Sequence, residues 1–216
     1  MDPDGRFGVD EAGKGPVLGS MFAACVVAPP AALPDGLRDS KRLSPGRREE
    51  LAARLRDDDA VAVGVSEVPV ERVDDPETDM NSLTVAAHAA AMAAAPVDGL
   101  AGVLDAGDTD EGRFARRVTE RVDADVSVRA EHGADDAHPH VSAASVVAKV
   151  ERDAHVDALA DEYGDVGSGY PPDPTTREFL RGYVREHGRL PDCARVSWST
   201  CDDLLAAAEQ SALDEF

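Results

Sequence analysis

The stretch GVDEAGKGPVLG, Gly8 to Gly19, combines a glycine-rich loop with two adjacent carboxylates, Asp10 and Glu11. It approaches the phosphate-binding loop pattern, in which Gly, four residues, Gly, Lys and Ser or Thr follow in order. Here Gly15 stands where the hydroxyl residue belongs, and the two carboxylates would repel an anion cradled by backbone N–H groups. The pattern therefore argues against a nucleotide-binding loop.

The two carboxylates end an apolar, strand-like run, RFGVDEAG. A divalent cation between them and a phosphate would remove the repulsion, since hard cations prefer oxygen ligands. Ligand sites in open α/β sheets lie at strand ends. The stretch thus favours a metal site for phosphate-ester chemistry. In so acidic a chain, Asp10 and Glu11 taken alone also fit a plain solvated surface.

The composition is strongly acidic. The 216 residues include 43 Asp and Glu against 22 Lys and Arg, a formal net charge of -21, and the only lysines are Lys14, Lys41 and Lys149. Such a hydrated acidic surface is typical of a protein that stays dissolved in the concentrated salt of a halophile. An ordinary acidic protein is the alternative, which the scarcity of lysine disfavours. At ~1 M salt the Debye length is about 3 Å, so the charge does not exclude a nucleic-acid substrate.

No segment of the sequence predicts a membrane span or a secretion signal. The longest apolar run, MFAACVVAPPAAL, is too short and is interrupted by Pro29 and Pro30. The three cysteines show neither a paired framework nor metal-ligand spacing. We expect a soluble, cytoplasmic, monomeric protein with no membrane contact.

Periodicity and turn residues predict a mixed sheet with helices on its faces. Strands are expected at RFGVDEA, GSMFAACVVAP, AVAVGVSEV, GLAGVLDAG and DADVSVRAEH. Helices are expected at SPGRREELAARLRD (with Ser44 as the N-cap), NSLTVAAHAAAMAAA, DEGRFARRVTERV and HVSAASVVAKVERDAHVDALADEYG. Right-handed crossovers would bring the first and fourth strands together.

Two further acidic positions follow from this assignment. Asp105 ends the apolar run GVLDAGD, so it lies at a strand tip like Asp10. Asp135 lies just before the start of the long helix, where a loop or helix-entry carboxylate is the plainer interpretation. With Glu11, these acids could converge on one site.

Seven motifs then occur in a fixed order: GVDEAGKG, DSKRLS, VLDAGD, EHGADD, VSAASVVAKVERD, GSGYPPDPTTREFL and RVSW. Together they resemble the type 2 ribonuclease H family, ribonuclease HII, in its archaeal form. The resemblance covers about residues 5 to 200. It implies a ribonuclease H-like α/β fold, with a mixed five-stranded sheet flanked by helices. It also implies a catalytic core at residues 1–154 and a helical C-terminal segment at 155–216.

The resemblance also implies a reaction. Family members cleave the RNA strand of RNA/DNA hybrids and nick duplex DNA at embedded ribonucleotides, leaving 5'-phosphate and 3'-hydroxyl ends. Two divalent ions, Mg²⁺ or Mn²⁺, would be held by four carboxylates that fall on Asp10, Glu11, Asp105 and Asp135. Asp136 is adjacent to the last of these and is the alternative fourth ligand.

The expected substrate contacts come from the same resemblance. Gly13, Lys14 and Gly15 match the segment that grips the sugar–phosphate around the ribonucleotide, and many members carry Arg where this chain has Lys14. Tyr170 resembles the tyrosine that senses the ribonucleotide, although by itself it would suggest a buried loop anchor. Lys41 is a candidate phosphate contact that, without the family match, would be an ordinary exposed lysine.

The remaining expectations concern supporting residues and alternatives. Ser142 is expected to cap a helix and Ser145 to be a small packing residue. A resolvase-like nuclease and a non-enzymatic hybrid-binding module stay open as other functions, although the SAAS and GSGYP motifs disfavour the first and the four carboxylates the second. Contact with a sliding clamp stays open too, because the C-terminal SALDEF is too weak a match to establish it.

The composition generates the first prediction. Unscreened acidic groups repel one another, so the melting temperature should rise when KCl is raised from ~0.1 M to 2 M and the Debye length falls from about 10 Å to below 3 Å. Thermal unfolding followed by circular dichroism across this range measures the effect. A flat profile would contradict the halophilic interpretation.

Overall fold

The computed structural model describes residues 6–37 and 43–214. Within these ranges the chain forms five strands and, apart from one short 3-10 turn, eight helices. The strands are β1 (Arg6–Ala12), β2 (Met21–Ala28), β3 (Ala62–Val68), β4 (Ala101–Asp105) and β5 (Ser127–Glu131). The helices are α1 (Pro45–Asp57), α2 (Val70–Val73), α3 (Met80–Ala93), α4 (Glu111–Thr119), α5 (Ala134–Ala137), α6 (Pro139–Tyr163), α7 (Pro174–His187) and α8 (Ser199–Asp214).

The strands form one mixed sheet in the order β3-β2-β1-β4-β5. The first three strands pair antiparallel, whereas β1 pairs with β4, and β4 with β5, in parallel. The predicted mixed five-stranded sheet is confirmed, including the placement of the first and fourth strands side by side. The Ser44 hydroxyl accepts the Arg47 N–H at the start of α1, which confirms the predicted cap. The short helices α2 and α5 were not predicted.

Two apolar layers cover the sheet. On one face, α3 and α4 pack over Phe7 and Val9 of β1 and over Leu104 of β4. On the other face, α6 and α1 pack over Ala24 and Val26 of β2. Because alternate residues of a strand point to opposite faces, β1 contributes to both layers and lies at the centre of the molecule.

The approach of α6 to β1 is unusually close. A Cβ atom placed on Gly8 would lie 2.3 Å from both the carbonyl carbon of His140 and the N atom of Val141. The helix backbone therefore rests directly on the strand, with no side chain between them. Residues 141–148 of α6, VSAASVVA, are small or β-branched and are all buried, which allows this approach.

The C-terminal helices form a smaller third layer. Val17 and Leu18, which follow β1, pack in one apolar cluster with Val166, Leu180 and Leu204. The helix α6 runs without a break through position 154, so the expected division at 154/155 falls inside a helix and stays a prediction. None of the helices in the described ranges is long and apolar enough to cross a membrane.

The close approach at Gly8 generates the second prediction. Gly8→Ala forces β1 and α6 apart and should lower the free energy of unfolding by about 1–3 kcal/mol. Gly46→Ala is the matched control, since nothing lies within 4 Å of its added Cβ in the exposed first turn of α1. The control should be neutral or stabilising by up to about 1 kcal/mol. Chemical denaturation of both variants in molar KCl tests the difference, and equal stabilities would contradict this account.

Candidate active site

Asp10 and Glu11 lie side by side on β1 but face different layers of the molecule. The strand continues past them and pairs with β2 as far as Ala12. The Asp10 side chain meets α6, whereas the Glu11 side chain meets α3.

The end of the parallel ladder brings the two carboxylates to one place. The last pair between β1 and β4 is Val9 with Leu104. Beyond it the edge of β1 is no longer covered by β4, and Asp105 stands at the tip of β4. The charges of Glu11 and Asp105 both act on Asp10, and that of Glu11 also acts on Asp105. The three carboxylates therefore share one edge of the sheet.

Asp10 is buried against α6. The Ser145 hydroxyl binds its carboxylate, and the Lys149 ammonium donates to the Ser145 oxygen one helical turn further on. Burial, followed by the charges of Glu11 and Asp105, raises the pKa of Asp10 well above its usual value, although Ser145 and Lys149 oppose the shift. Ser145 is thus more than the small packing residue that was expected.

Glu11 is held from the opposite face by His88 of α3, which the sequence reasoning did not single out. The Nε2 atom of His88 lies 2.7 Å from a Glu11 carboxylate oxygen, and the imidazole is fully buried against Phe114. Burial raises the pKa of Glu11, but the hydrogen bond and charge of His88, together with Lys14, outweigh it and leave the pKa below its usual value. A lone His in an alanine-rich helix was the only signal for this contact.

Asp105 connects the strand tip to the fourth carboxylate. Its Oδ1 accepts the Ala134 N–H at 2.7 Å, at the start of α5. The next residue, Asp135, is 4% exposed and its charge acts on Asp105, whereas Asp136 is exposed. Burial raises the pKa of Asp105, and repulsion from Glu11 and Asp135 adds to the shift. This geometry favours Asp135 over Asp136.

We call Asp10, Glu11, Asp105 and Asp135 the carboxylate cluster. Its donors are all hard oxygen atoms, and the crowding of like charges is a condition that a divalent cation relieves. In the described ranges, no group of three or more His, Cys, Asp or Glu side chains is arranged so that it could already hold a metal ion. The donor chemistry of these four side chains would suit divalent cations.

Asp108, three residues beyond Asp105, shows what a structural carboxylate looks like in the same region. Arg113 donates to both of its oxygens, at 2.5 and 3.1 Å. These hydrogen bonds lower the pKa of Asp108 to about 2. Asp108 is committed to the start of α4 and does not belong to the cluster.

The segment Gly13–Gly19, which we call the glycine loop, follows β1 directly. Gly13 has a φ of 89°, which favours glycine, and an added Cβ would lie 3.0 Å from the Ser20 carbonyl oxygen. The Lys14 ammonium donates to the Gly107 carbonyl at 2.7 Å, so it bridges the loop to the segment after β4. Its expected role in substrate binding stays a prediction.

Beside the cluster lies a groove of about 380 Å³ that we call the basic groove. It is lined by Glu11, Ala12, Gly13, Lys14, Gly15, Arg48, Lys149, Arg152, Asp153 and Tyr170. Four of these residues are cations and two are carboxylates, whereas in the whole chain acidic residues outnumber basic ones. The groove therefore joins the glycine loop, Tyr170 and part of the cluster in a locally positive setting.

Tyr170 is 39% exposed in this groove, so it is not a buried loop anchor. The guanidinium of Arg152 lies 5.0 Å from the centre of its ring, and Cβ of an alanine at Gly15 would lie 3.8 Å from the ring edge. The Val17 N–H donates to the Gly169 carbonyl at 2.8 Å, which ties the tyrosine loop to the glycine loop. An aromatic face is thereby presented next to Gly15.

Two other expectations have different outcomes. Ser142 does not cap α6, because it lies in the first turns of that helix and its hydroxyl donates to the Leu37 carbonyl. That expectation was wrong, since the helix begins earlier, at Pro139. Lys41 lies outside the described residues, and its expected phosphate contact stays a prediction.

Comparison with known proteins agrees with this geometry. A family model described as ribonuclease HII matches residues 7–201. The ribonuclease HII of Halobacterium salinarum is 68% identical over 212 residues, which cover 98% of this chain and 99% of that protein.

Two solved structures share the fold. The ribonuclease H2 of Pyrococcus horikoshii OT3 superimposes with a TM-score of 0.88 and 34% identity, over 95% of this chain and 99% of the other. The ribonuclease HII solved with PCNA from Archaeoglobus fulgidus gives a TM-score of 0.80 and 36% identity, over 92% and 96%. The ribonuclease H-like fold expected from the sequence is therefore confirmed.

Proposed function

The chain belongs to the ribonuclease HII family, in its halophilic archaeal form, and we propose that it also nicks duplex DNA at embedded ribonucleotides. It is a metal-dependent endonuclease that degrades the RNA strand of RNA/DNA hybrids. The observation that supports the finer proposal is the position of the carboxylate cluster beside a basic groove that contains Gly15 and Tyr170.

We assign the carboxylate cluster to two divalent ions, Mg²⁺ or Mn²⁺, as inferred from its four oxygen-donor side chains. When bound, such ions supply Lewis acidity at the scissile phosphodiester. Lys149 and Ser145 orient Asp10 from one face, and His88 orients Glu11 from the other. Hydrolysis adds water to the phosphorus, breaks the bond to O3', and leaves 5'-phosphate and 3'-hydroxyl ends.

The groove residues bind the substrate in this proposal. The glycine loop lets the backbone approach the sugar–phosphate, since glycine has no side chain to obstruct it. Lys14, Arg48 and Lys149 supply positive charge along the same wall. The Tyr170 ring stacks on the sugar of the nucleotide after the ribonucleotide, and its hydroxyl meets the 2'-OH, the group that distinguishes RNA from DNA.

We further propose that the enzyme acts as a monomer and contacts a sliding clamp. The Archaeoglobus fulgidus relative, which shares 36% of its sequence with this chain, was solved in a complex with PCNA.

Cleavage of three matched duplexes in molar KCl tests the proposed reaction. One carries a single ribonucleotide in DNA, one is a long RNA/DNA hybrid, and one is all DNA. With Mg²⁺ or Mn²⁺ the first two should be cut, to 3'-hydroxyl and 5'-phosphate ends, and the third should stay intact. Chelation of the metal should stop both cleavages. An intact single-ribonucleotide duplex beside a degraded hybrid would contradict the finer proposal alone.

The third prediction separates ligands from their neighbours. Asp105→Asn and Asp135→Asn keep the shape of the side chain but lose the charge that holds a cation, so each should abolish most cleavage without unfolding the protein. Asp108→Asn and Asp136→Asn are the matched controls. The first should lower the melting temperature because the Arg113 ion pair weakens, and both should keep cleavage.

Initial rates at saturating Mg²⁺, with thermal melts of the same preparations, decide between the two groups. Near-normal cleavage by Asp105→Asn would remove Asp105 from the metal-binding set. Loss of cleavage in Asp136→Asn but not in Asp135→Asn would exchange the two adjacent residues.

The fourth prediction concerns Tyr170. Tyr170→Ala removes a stacking face worth about 1–3 kcal/mol, whereas Tyr170→Phe removes the hydroxyl alone. Tyr170→Ala should lose more activity on a single embedded ribonucleotide than on a long hybrid, which has many alternative sites. Metal binding, measured by calorimetry with Mn²⁺, should not change.

Tyr183→Ala is the matched control for this variant. Tyr183 lies in a separate aromatic cluster with Tyr163 and Phe179 on α6 and α7, away from the groove. Its loss should lower stability but affect both substrates equally. If Tyr170→Ala behaves in the same way as Tyr183→Ala, the tyrosine is structural.

A further inference from the structure

The glycine loop is held from behind by the segment Cys193–Trp198, which we call the C-terminal clip. The Gly19 N–H donates to the Cys193 carbonyl, and the Arg195 N–H donates to the Val17 carbonyl, each at 2.8 Å. These bonds join positions more than 170 residues apart in the chain. The clip contains the RVSW motif, which the reaction proposed above does not use.

Arg195 makes the central contacts of the clip. Its side chain is fully buried, and its three guanidinium nitrogens each bind a carbonyl oxygen of the glycine loop. Nη2 donates to Gly13 at 2.6 Å, Nη1 to Lys14 at 3.1 Å, and Nε to Gly19 at 2.8 Å. The Trp198 ring lies 5.1 Å from the guanidinium carbon, and its indole N–H approaches the Gly15 carbonyl at 3.4 Å.

These contacts also fix the direction of the N–H group in each peptide whose carbonyl binds Arg195. In a trans peptide the C=O and the following N–H point in opposite directions, and no peptide in the described residues is cis. Because the carbonyls of Gly13 and Lys14 point inward to Arg195, the N–H groups of Lys14 and Gly15 point away from it. Neither N–H donates to another described residue, and Lys14 and Gly15 both line the basic groove.

The charge of Arg195 is also placed unusually. In the described part of the chain it forms no direct ion pair, and Asp74 is the carboxylate that stabilises it at longer range. Burial lowers the pKa of Arg195 to about 10, well within the charged range at neutral pH. Burying a cation without a direct carboxylate partner carries a large desolvation free energy. Its effect is to put positive charge directly behind two outward-facing N–H groups.

We propose that Arg195 is a positioning residue, which holds the glycine loop so that the Lys14 and Gly15 N–H groups bind a phosphate of the strand that carries the ribonucleotide. This inference rests on the function proposed above. It also explains why a fork of several donors is needed, because a lysine has a single donor centre and cannot hold carbonyls from both ends of the loop.

Steady-state kinetics on the single-ribonucleotide duplex tests the proposal with Arg195→Lys and Arg195→Gln. The first keeps the charge and loses the fork, and the second keeps one donor and loses the charge. In each variant KM should rise on the order of 10- to 100-fold, since small misplacements of a binding group have effects of this size. The value of kcat at saturating duplex and the affinity for Mn²⁺ should change much less.

A second measurement reports how firmly the glycine loop is held. Amide hydrogen exchange of the peptide covering residues 13–19 should be faster in both Arg195 variants, while exchange in β1 and β2 stays as in the unmodified protein. Leu180→Ala is the matched control, because it creates a cavity in the same C-terminal cluster without touching the loop carbonyls. It should lower the melting temperature and leave KM unchanged at temperatures where it is folded.

Three outcomes would overturn the proposal: an unchanged KM in both folded variants, a KM increase as large in Leu180→Ala, or failure of both Arg195 variants to fold, which would make the residue purely structural. Failure of the proposed function has a different signature. In that case the unmodified protein does not nick the single-ribonucleotide duplex, and the exchange experiment still reports whether Arg195 holds the loop.

Discussion

The direct packing of α6 on β1 at Gly8 determines where the functional side chains lie. No side chain separates the two backbones. Ser145, five residues beyond His140, therefore reaches the carboxylate of Asp10, and Lys149, four residues further on, donates to Ser145. A bulkier residue at Gly8 would lift the helix and carry both groups away. The small residues of α6 therefore serve the core and the site at once, and a run that looks like simple packing in the sequence sets the position of a hydrogen-bond chain.

The same strand explains how several like charges are held together. Adjacent residues on β1 point to opposite faces, so Asp10 is supported by α6 and Glu11 by His88 of α3. The two carboxylates have different hydrogen-bond partners, although the charge of Glu11 helps to raise the pKa of Asp10. Asp105 is fixed by a third contact, the Ala134 N–H, which also places Asp135. Mutual repulsion is thus opposed by hydrogen bonds from three separate elements, α3, α5 and α6, which hold the proposed metal ligands in place.

Sequence patterns predicted the parts of this arrangement that depend on local chemistry. All five strands, the crossover that joins β1 and β4, and the strand-tip position of Asp105 follow from periodicity and connection rules. The side chains that bind the carboxylates and the glycine loop could not be predicted in this way. His88 and Arg195 act on atoms 77 and more than 170 positions away in the chain, so no local pattern indicates what they bind. The choice between Asp135 and Asp136 likewise depends on burial, which is visible only once the short helix α5 is seen to turn one carboxylate inward.

The acidic composition changes how such a protein can recognise a nucleic acid. In molar salt the Debye length is about 3 Å. At longer distances the net charge of -21 therefore does not repel a polyanion, and a basic surface would not attract one. Recognition then depends on groups that touch the substrate. In the function proposed here, the four cations of the basic groove and the N–H groups of the glycine loop make these contacts. Such short-range donors are useful only if they are rigidly aimed. The inferred role of Arg195 meets this need, because its three hydrogen bonds hold the loop from a fully buried position that bulk salt does not reach.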